Sequence, residues 1–558
     1  MLTDARHLPP NAELVGDVCI IGAGPAGLTI ARQLDGSGLQ TILLERGDTE
    51  QEADIAAELE FASPHFLTPR ESLRRQFGGM SAAWNSALLD GRPAARYLPF
   101  DPIDLEARYW VPHSGWPVSF DDLRPYYERA YGVCGLQPLD PGQPAVDGRV
   151  PLSTPSGAMI TRLDLLGPAS VFTTDAVADL RRSADIHVVT HAAAVELVAA
   201  ADEPLARTVV RVVGGLAISV RSRLVIVAAG AIENARLLLS STAQHPAGLG
   251  NEFDNVGRFF MDHPRVSLGH GSFSGRTPMG RYEPHVVGGQ LVIGKLKLAE
   301  SVLRREELLN GNAQIYPHYL TTEQLAAVRS ARSLVDSVRR RQGLTSAPGH
   351  AVAVGRRSFS MARMVVAARV LRRPDVPTPG SDRWTGMIAR SFKLTYQPEQ
   401  APSRGNRVTL DDRVDEFGSR IARLEWRWSE VDVLSIRRVR EIMAAELTAS
   451  GIGELADNEP ELLPPGELNG PPGSAHHHLG TTRMHDNPRH GVVDRHGRIH
   501  GCGSVYVAGG SVFPTGGYAN PTLTVVALAI RLADEVRRVL SEATASQQPL
   551  TRPAGPPS

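Results

Sequence analysis

A run of three glycines near the N-terminus constrains this chain more than any other feature. Gly22, Gly24 and Gly27 lie between a short apolar run, residues 17–21, and a segment with helical spacing, residues 28–34. An apolar run of this length predicts a buried parallel strand, so the local order is strand, glycine turn and helix. Gly22 permits the tight turn, Gly24 lets a ligand approach the backbone, and Gly27 allows the helix to pack closely on the strand. The chain therefore predicts an α/β fold that starts with a βα unit.

A second strand ends in a carboxylate at the position where dinucleotide-binding folds contact a ribose. Residues 41–45 form this strand and end in Glu45, about twenty residues after the glycines. Phosphates would lie at the N-terminus of the helix after the glycines, where free N–H groups favour anions. Glu45 would accept hydrogen bonds from ribose hydroxyls and would repel a 2′-phosphate, which argues against NADP. Together these features predict binding of an adenine dinucleotide, rather than a glycine-rich loop without a ligand.

Composition excludes several other classes of protein. The 558 residues are too many for one simple core, so two domains are expected. Lys and Arg number 59 against 60 Asp and Glu, so no bulk charge indicates a nucleic-acid partner. No apolar stretch reaches the ~18–20 residues of a membrane span, and residues 1–14 lack a signal-peptide layout. Cys19, Cys134 and Cys502 are too few and too scattered for disulfides, zinc or an iron–sulfur cluster. We therefore expect a cytoplasmic protein with no metal and no transmembrane segment.

The α/β character returns in the middle and at the end of the chain. Residues 223–230 predict a buried strand that ends in a small-residue turn, and residues 232–240 predict a helix. Residues 504–508 predict another strand, and residues 525–540 a final amphipathic helix. Three separated α/β segments indicate one nucleotide-binding domain assembled from pieces, with inserts that form a second domain.

The middle third of the chain has a different pattern. Residues 408–410 and 421–428 alternate apolar and polar side chains, as half-buried antiparallel strands do. Arginines recur through residues 329–373, with apolar side chains at helical spacing between them. Two helices with solvated basic faces account for this stretch, and contact with a membrane or a partner protein is the alternative.

Five motifs in order make the chain resemble the glucose–methanol–choline (GMC) oxidoreductase family. They are the glycine run with Glu45, residues 77–85, residues 228–233, residues 255–258 with Asp262-His263-Pro264, and a C-terminal block from His477 to Thr524. Within the last block, residues 509–515 and 519–524 are most similar to the pyranose oxidase and bacterial sugar-dehydrogenase branches. Many other members have His where this chain has Asn520.

The resemblance implies a fold with two domains. The expected class is α/β, or α+β overall, with a Rossmann-like FAD-binding domain in discontinuous segments and a substrate domain that has an antiparallel sheet and helices. The FAD-binding segments are residues 1–105, 185–265 and 470–545, the substrate-binding segments are 106–184 and 266–469, and residues 546–558 form a flexible tail.

The resemblance also implies oxidation of an alcohol, in which a base removes the hydroxyl proton while hydride leaves carbon for flavin N5. His477 lies in the family's H-x-x-G-T frame and is the expected base, a task that suits a neutral imidazole. Asn520 is expected to hydrogen-bond the substrate oxygen. We expect His476 and His478 to support the site around His477 or to be packing residues, and His263 to have a structural role in its turn. Zinc is excluded at the three adjacent histidines, because sequential side chains do not converge on one tetrahedral ion.

The flavin is expected to be FAD held without a covalent bond. Pyranose oxidases often tether the flavin through a His at the position that matches Ala83, which has no nucleophile. The residues expected to contact FAD come from the glycine turn, the end of the second strand, the 77–85 motif and the C-terminal block. They are Gly22, Gly24, Pro25, Ala26, Gly27, Glu45, Arg46, Gly78, Gly79, Ser81, Trp84, Asn85, Val195, Ala229, Gly509, Gly510, Pro521 and Thr522.

The implied substrate is a polyol or glycoside. We expect oxidation of a primary or secondary alcohol of a sugar, glycoside or aminoglycoside-like compound, by analogy with enzymes that tailor natural products. Electrons would pass to oxygen or to another acceptor, with oxygen serving slowly. Two alternatives stay open: an apolar alcohol such as a sterol or terpenoid, and a flavoprotein with a non-redox or altered role. The presence of both His477 and Asn520 argues against the latter.

Overall fold

The computed structural model describes residues 1–49, 59–61, 73–84, 86–142, 151–152, 154–199, 206–212, 216–275, 279–318, 390–456 and 473–546. In chain order its strands are β1 Leu2–Asp4, β2 Glu13–Ile21, β3 Thr41–Leu44, β4 Leu59–Phe61, β5 Ser86–Ala87, β6 Pro93–Tyr97, β7 Met159–Pro168, β8 Ile186–Thr190, β9 Ala193–Val198, β10 Ala206–Arg211, β11 Ala217–Val227, β12 Pro264–Phe273, β13 His285–Val287, β14 Gln290–Leu298, β15 Gly311–His318, β16 Ser391–Pro398, β17 Arg407–Val414, β18 Arg420–Glu425, β19 Gly453–Leu455, β20 Gly473–Ser474 and β21 Val505–Val507. Its α-helices are α1 Pro25–Leu34, α2 Pro102–Leu105, α3 Phe120–Val133, α4 Thr174–Arg182, α5 Ala231–Ser240, α6 Glu300–Arg305, α7 Glu430–Ala449 and α8 Thr522–Ser546.

The first sheet gathers strands from the start, middle and end of the chain. Its order is β1-β8-β3-β2-β11-β10-β9, and β21 pairs with the far end of β11. The pairs β2–β3, β3–β8, β2–β11 and β11–β21 are all parallel. Parallel strands are buried on both faces, which explains their continuous apolar runs. Helices α1 and α8 pack together beside this sheet, so the predicted nucleotide-binding architecture from separated segments is confirmed.

The second sheet is antiparallel and has a different character on each face. Its order is β19-β12-β16-β15-β14-β7-β6-β5, with β13 beside β14 and β20 beside β12. One face packs on α7 through an apolar cluster that includes Leu296, Ile315, Leu394, Val439 and Met443. The other face carries polar side chains, and its Gln397 amide donates to the carbonyl oxygen of Tyr518, two residues before Asn520. The predicted combination of a Rossmann-like sheet and an antiparallel sheet with helices is therefore confirmed.

Several predicted elements have different limits in the structure. The final helix begins at Thr522 and continues to Ser546, beyond the predicted 525–540. The Val525 N–H already donates to the carbonyl oxygen of Pro521, and the helix-forming residues Glu542, Ala543 and Ala545 extend the other end. Strand β18 ends at Glu425, so residues 426–428 of the predicted strand 421–428 lie outside the observed one. The antiparallel pairing of β17 with β18 is confirmed. The Arg-rich stretch 329–373 and the tail after Ser546 lie outside the described residues.

The described part of the chain contains no helix that combines the length and the apolar character of a membrane span. The domain limits stay a prediction. Strands β5 and β6, within the predicted segment 1–105, are paired into the antiparallel sheet rather than the parallel one.

Candidate active site

A long cleft adjoins the carboxyl ends of the central parallel strands. Its lining includes Glu45 just after β3, the glycine turn after β2, and His477 and its neighbours. The empty volume is about 1670 Å³, with open solvent included. Ligands of open α/β sheets bind at the carboxyl ends of the strands, so this is the expected location for a dinucleotide.

The three glycines of the turn differ in what a Cβ atom at each position would contact. Gly22 has φ +104°, and a Cβ there would lie 2.7 Å from the carbonyl oxygen of Ala228. A Cβ on Gly27 would lie 2.0 Å from the carbonyl oxygen of Gly22. A Cβ on Gly24 would have no neighbour within 4 Å, and Gly24 lines the cleft. Two glycines are thus required by packing, whereas the third leaves open backbone of the kind that a pyrophosphate needs.

Glu45 connects the end of β3 to the glycine turn. Its Oε2 accepts a hydrogen bond from the Ala23 N–H at 2.9 Å, and its Oε1 accepts one from the Gly47 N–H at 3.0 Å. Burial raises the pKa of this carboxyl, whereas the backbone hydrogen bonds oppose that shift. Each carboxylate oxygen has a further lone pair, so Glu45 retains the capacity to accept from a ribose hydroxyl.

The loop around residues 77–84 is fastened to the glycine turn. The Gly78 N–H donates to the carbonyl oxygen of Ala23 at 2.7 Å. The Ser81 hydroxyl donates to the carbonyl oxygen of Gly78 at 2.6 Å. Trp84 lines the cleft and packs edge-on against Tyr97, with ring centroids 6.1 Å apart. The loop is therefore held rigidly on the wall of the cleft.

The C-terminal motif supplies another wall. Gly509 and Gly510 follow β21, and Pro521 and Thr522 lie at the start of α8; all four line the cleft. The N-terminus of a helix favours negative charge, because its free N–H groups and its dipole are positive there. The start of α8 can therefore stabilise negative charge on a ligand in the cleft.

A buried charge cluster near Glu45 was not predicted from the sequence. Arg236 forms ion pairs with Asp415 at 2.6 Å and Glu233 at 3.2 Å, and Arg46 approaches the same Asp415 at 3.3 Å. Burial, together with the neighbouring Arg46, lowers the pKa of Arg75 to about 9. Glu233 belonged to a quoted motif and pairs with Arg236 one turn along the same helix, and Arg46 was an expected FAD contact. Asp415 and Arg75 come from other segments, so no local spacing connects them to the rest.

At the other end of the site, two histidines and Asn520 are in direct contact. His477 Nδ1 lies 2.9 Å from His263 Nδ1, and His477 Nε2 lies 3.4 Å from the Asn520 amide nitrogen. Asp262 Oδ1 accepts from the backbone N–H groups of both His263 and His477, each at 2.7 Å. His263 was expected to have a structural role, and its contact with His477 was not predicted. Its signal was the Asp262-His263-Pro264 motif, whose partner is 214 residues away.

The electrostatics keep both histidines neutral. Burial lowers the pKa of His477 well below its usual range, and the positive charges of Arg265 and Lys295 lower it further. Burial also lowers the pKa of His263, although Asp262 opposes that shift. A neutral imidazole has one nitrogen that can accept a proton, so His477 is suited to act as a base near neutral pH.

The structure brings most of the predicted residues to one cleft. Those that line it are Gly22, Gly24, Pro25, Ala26, Glu45, Arg46, Gly79, Ser81, Trp84, Val195, Ala229, Gly509, Gly510, Pro521, Thr522 and His477. Gly27 and Gly78 lie behind the lining, and Asn520 adjoins the cleft through His477. Asn85 lies outside the described residues. His476 and His478, expected either to support the site or to pack, also line the cleft.

Two family models match complementary parts of the chain. The model of FAD dependent oxidoreductases matches residues 17–247, which include the glycine turn and Glu45. The model of GMC oxidoreductases matches residues 402–529, which include His477 and Asn520. Both matched regions contribute residues to the lining of the cleft.

Known proteins resemble the chain over nearly its whole length. The 2-methyl-1,2-propanediol dehydrogenase of Mycolicibacterium austroafricanum is 25% identical over 94% of this chain and 96% of its own. The 6'''-hydroxyparomomycin C oxidase of Streptomyces lividus is 25% identical over 94% of this chain and 91% of its own. The structure of a fungal aryl-alcohol oxidase superposes with a TM-score of 0.54 at 15% identity, covering 96% of this chain and all of the other, which shows a shared fold. The chain therefore combines a region that matches FAD dependent oxidoreductases with a region that matches GMC oxidoreductases.

Proposed function

We propose that the protein oxidises an alcohol group of a polyhydroxylated substrate, such as a sugar, glycoside or aminoglycoside, with His477 as the base. The observation that carries the proposal is the contact of His477 Nε2 with Asn520 at 3.4 Å beside the cleft. FAD, when bound, supplies an acceptor for the hydride that leaves the carbon.

Proton removal is the task of His477. Its neutral imidazole accepts the hydroxyl proton at Nε2, the nitrogen on the side of Asn520. The amide of Asn520 donates to the substrate oxygen, which orients the reacting carbon and stabilises the negative charge that develops on that oxygen. A positioned base of this kind contributes roughly 10²–10⁴-fold to the rate.

The polar face of the antiparallel sheet supports a hydroxylated substrate. We define the polar face as the side chains that share one side of the sheet by strand register: Arg96, Asp164, Lys295, Lys297, Asn312, Gln314, Thr395, Gln397, Arg265 and Ser267. Its central members are buried; Lys295 and Asn312 are each 2% exposed. The polar face contacts the segment that carries Asn520, because the Gln397 amide donates to the carbonyl oxygen of Tyr518 at 3.1 Å.

Part of this face has unused hydrogen-bonding capacity. Gln314 Oε1 and Ser267 Oγ are buried and have no hydrogen-bond partner within the described ranges. Buried polar atoms in folded proteins are otherwise almost always hydrogen-bonded. A substrate rich in hydroxyls can satisfy such atoms, whereas a sterol or terpenoid would leave them desolvated at a cost of about 1–3 kcal/mol each. The polar face therefore favours a polyol or glycoside over an apolar alcohol.

Two relatives agree with this class of substrate. One is named for a diol and the other for a hydroxylated aminoglycoside. At 25% identity these names support the class of reaction rather than a particular compound.

The test is reduction of the bound flavin in the absence of oxygen. We expect the flavin absorbance to bleach with members of a panel of sugars, methyl glycosides, aminoglycosides and small diols, and to persist with sterols and terpenoid alcohols. Bleaching by sterols alone would assign the substrate to the apolar class. No bleaching by any alcohol in a folded, flavin-loaded protein would contradict alcohol oxidation and favour a non-redox role.

The FAD is proposed to be held without a covalent bond, because Ala83 replaces the residue that forms the tether in pyranose oxidases. Its affinity would come from the glycine turn, Glu45 and the start of α8. Acid precipitation should release the yellow colour into the supernatant. Colour that stays with the precipitated protein would contradict the proposal.

A further inference from the structure

We infer that His263 is a positioning residue for His477, which it holds in the tautomer that leaves Nε2 unprotonated and directed at Asn520. The inference rests on the proposed function, in which Nε2 is the atom that receives the substrate proton. It replaces the purely structural role that the sequence analysis assigned to His263.

The proton on His263 lies on Nε2. Its Nε2 lies 2.9 Å from the carbonyl oxygen of Gly517 and 3.2 Å from that of Gly516. Carbonyl oxygens only accept hydrogen bonds, so Nε2 must carry a proton. The ring is fully buried, with 0% of its surface exposed, and a buried imidazole favours the neutral form. A neutral His263 with its proton on Nε2 has a bare Nδ1.

The protonation of His263 in turn fixes the protonation of His477. The two Nδ1 atoms are 2.9 Å apart, a distance that requires one proton between them. Because His263 Nδ1 carries none, the proton belongs to His477 Nδ1, which donates. His477 is itself neutral, so its Nε2 must be bare. The Asn520 amide nitrogen, 3.4 Å from that Nε2, can then donate to it. The three hydrogen bonds therefore run in one direction. Asn520 donates to His477, which donates to His263. His263 in turn donates to the carbonyl oxygen of Gly517.

Hydrogen bonds to Asp262 make the arrangement of the two histidines rigid. Asp262 Oδ1 accepts from the backbone N–H groups of both histidines, and so fixes the two segments relative to each other. The imidazole planes are almost perpendicular, at 88°, with centroids 5.0 Å apart. A side chain oriented by a fixed partner needs no reorganisation when the substrate arrives.

Charged groups around the pair act on the protonation of both rings. Arg265, Lys295 and His476 disfavour a proton on His477, whereas Asp262 and Glu399 favour one on His263. These charges act on the ring as a whole, whereas His263 Nδ1 lies within hydrogen-bond distance of one particular nitrogen, His477 Nδ1. Tautomer selection is therefore assigned to His263 rather than to the surrounding field.

The test uses two substitutions of nearly equal size. His263→Asn keeps an oxygen close to the position of Nδ1 that can accept from His477, whereas His263→Leu offers no acceptor. Both remove the contact with the Gly517 carbonyl oxygen. We expect His263→Leu to slow flavin reduction, per bound flavin, by roughly 10²-fold, and His263→Asn to retain the rate within about tenfold, since a positioned base contributes 10²–10⁴-fold. Equal slowing in both variants at full flavin content would overturn the inference, because a merely structural role predicts that result.

A second readout does not depend on activity. Nitrogen-15 spectra of the histidine-labelled holoenzyme distinguish the two neutral tautomers, and the His477→Ala variant identifies the signals of His477. The wild type should show a protonated Nδ1 and a bare Nε2 on His477, and His263→Leu should lose this preference. A protonated Nε2 in the wild type at neutral pH would overturn the inference even if neither His263 variant folds. If no alcohol reduces the flavin, the proposed function fails, and the spectra still decide the tautomer.

Discussion

The parallel and antiparallel sheets present chemistry to the site in different ways. At the parallel sheet, the backbone supplies the contacts: Gly24 leaves an open approach, and Gly22 and Gly27 let the turn and the helix close around it. At the antiparallel sheet, side chains from separate strands supply them, as Lys295, Asn312 and Gln397 do on the polar face. The backbone contacts of the glycine turn are lost when a substitution adds atoms. The side-chain contacts of the antiparallel sheet are lost when a substitution removes hydrogen-bonding atoms.

This difference follows from what each region has to recognise. A pyrophosphate is an anion that backbone N–H groups at a helix start can bind, so the requirement falls on steric access. A substrate oxygen has to be met by a base and a donor at fixed distances, so the requirement falls on the identity of His477 and Asn520. Substitutions that add bulk should therefore affect cofactor binding, and substitutions that remove polar atoms should affect the rate.

The largest expected effect is at Gly27. A side chain there meets the Gly22 carbonyl oxygen at 2.0 Å, which is backbone and cannot move aside cheaply. Gly27→Val should abolish soluble, folded protein, as measured by circular dichroism and size-exclusion chromatography. Gly24→Ala, whose Cβ meets nothing within 4 Å, should fold but lose FAD affinity, because its methyl group points into the open approach.

Gly132 offers a matched control for both glycine substitutions. It lies within α3, and a Cβ there has no neighbour within 4 Å. Gly132→Ala should fold and retain full flavin content, with helix propensity favouring Ala by about 0.8–1.0 kcal/mol. Normal flavin content in Gly24→Ala would show that the turn does not bind the cofactor through its open backbone.

The next effect tests the side-chain region. His477→Ala removes the proposed base while leaving the backbone N–H that Asp262 holds. Flavin content and folding should be retained, and anaerobic flavin reduction should slow by roughly 10²–10⁴-fold in stopped-flow measurements. A normal rate in His477→Ala, combined with a collapse in His476→Ala or His478→Ala, would show that another histidine is the base.

The two regions also differ in how well the sequence predicts them. Glycines at fixed spacing, followed by Glu45, leave a compact local pattern. Helix α1 and four of the eight strands of this sheet, β2, β3, β11 and β21, were predicted. The pieces of the C-terminal block, from His477 to Thr522, were quoted as motifs and lie at the same cleft. Local sterics and short motifs therefore account for most of the correct predictions.

Contacts between distant segments were not predicted. The His263–His477 pair joins residues 214 apart, and Arg236 meets Asp415 across 179 positions. Neither pair has a spacing that would reveal it, because such contacts are set by how the sheets pack rather than by local periodicity. The polar face was missed for the same reason: its members alternate along strands whose register only the folded sheet defines.

A smaller effect is expected at Asn520, which is proposed to donate one hydrogen bond rather than to accept a proton. Asn520→Ala should slow flavin reduction by a factor corresponding to about 1–3 kcal/mol, with folding unchanged. Asn520→His, which restores a donor found at this position in many family members, should recover part of the rate. Equal rates for wild type and Asn520→Ala at saturating substrate would contradict the proposed contact with the substrate oxygen.

The smallest effect concerns the pH dependence of stability where the two regions meet. His478 lies between the cleft and the ring of Phe260, with ring centroids 5.4 Å apart, and burial lowers its pKa to about 4. The unfolded chain takes up a proton near pH 6.5 and the folded protein does not, so stability is lost as the pH falls below about 6.5. Between about pH 7.5 and pH 5.5, this residue should lower the free energy of unfolding by about 1 kcal/mol. His478→Gln cannot take up that proton, so urea unfolding of the variant should lose less stability over this interval than that of the wild type. Identical pH slopes for the two proteins would show that the His478 ring is solvated in the folded state. The water-excluded part of the site would then include His477 but not His478.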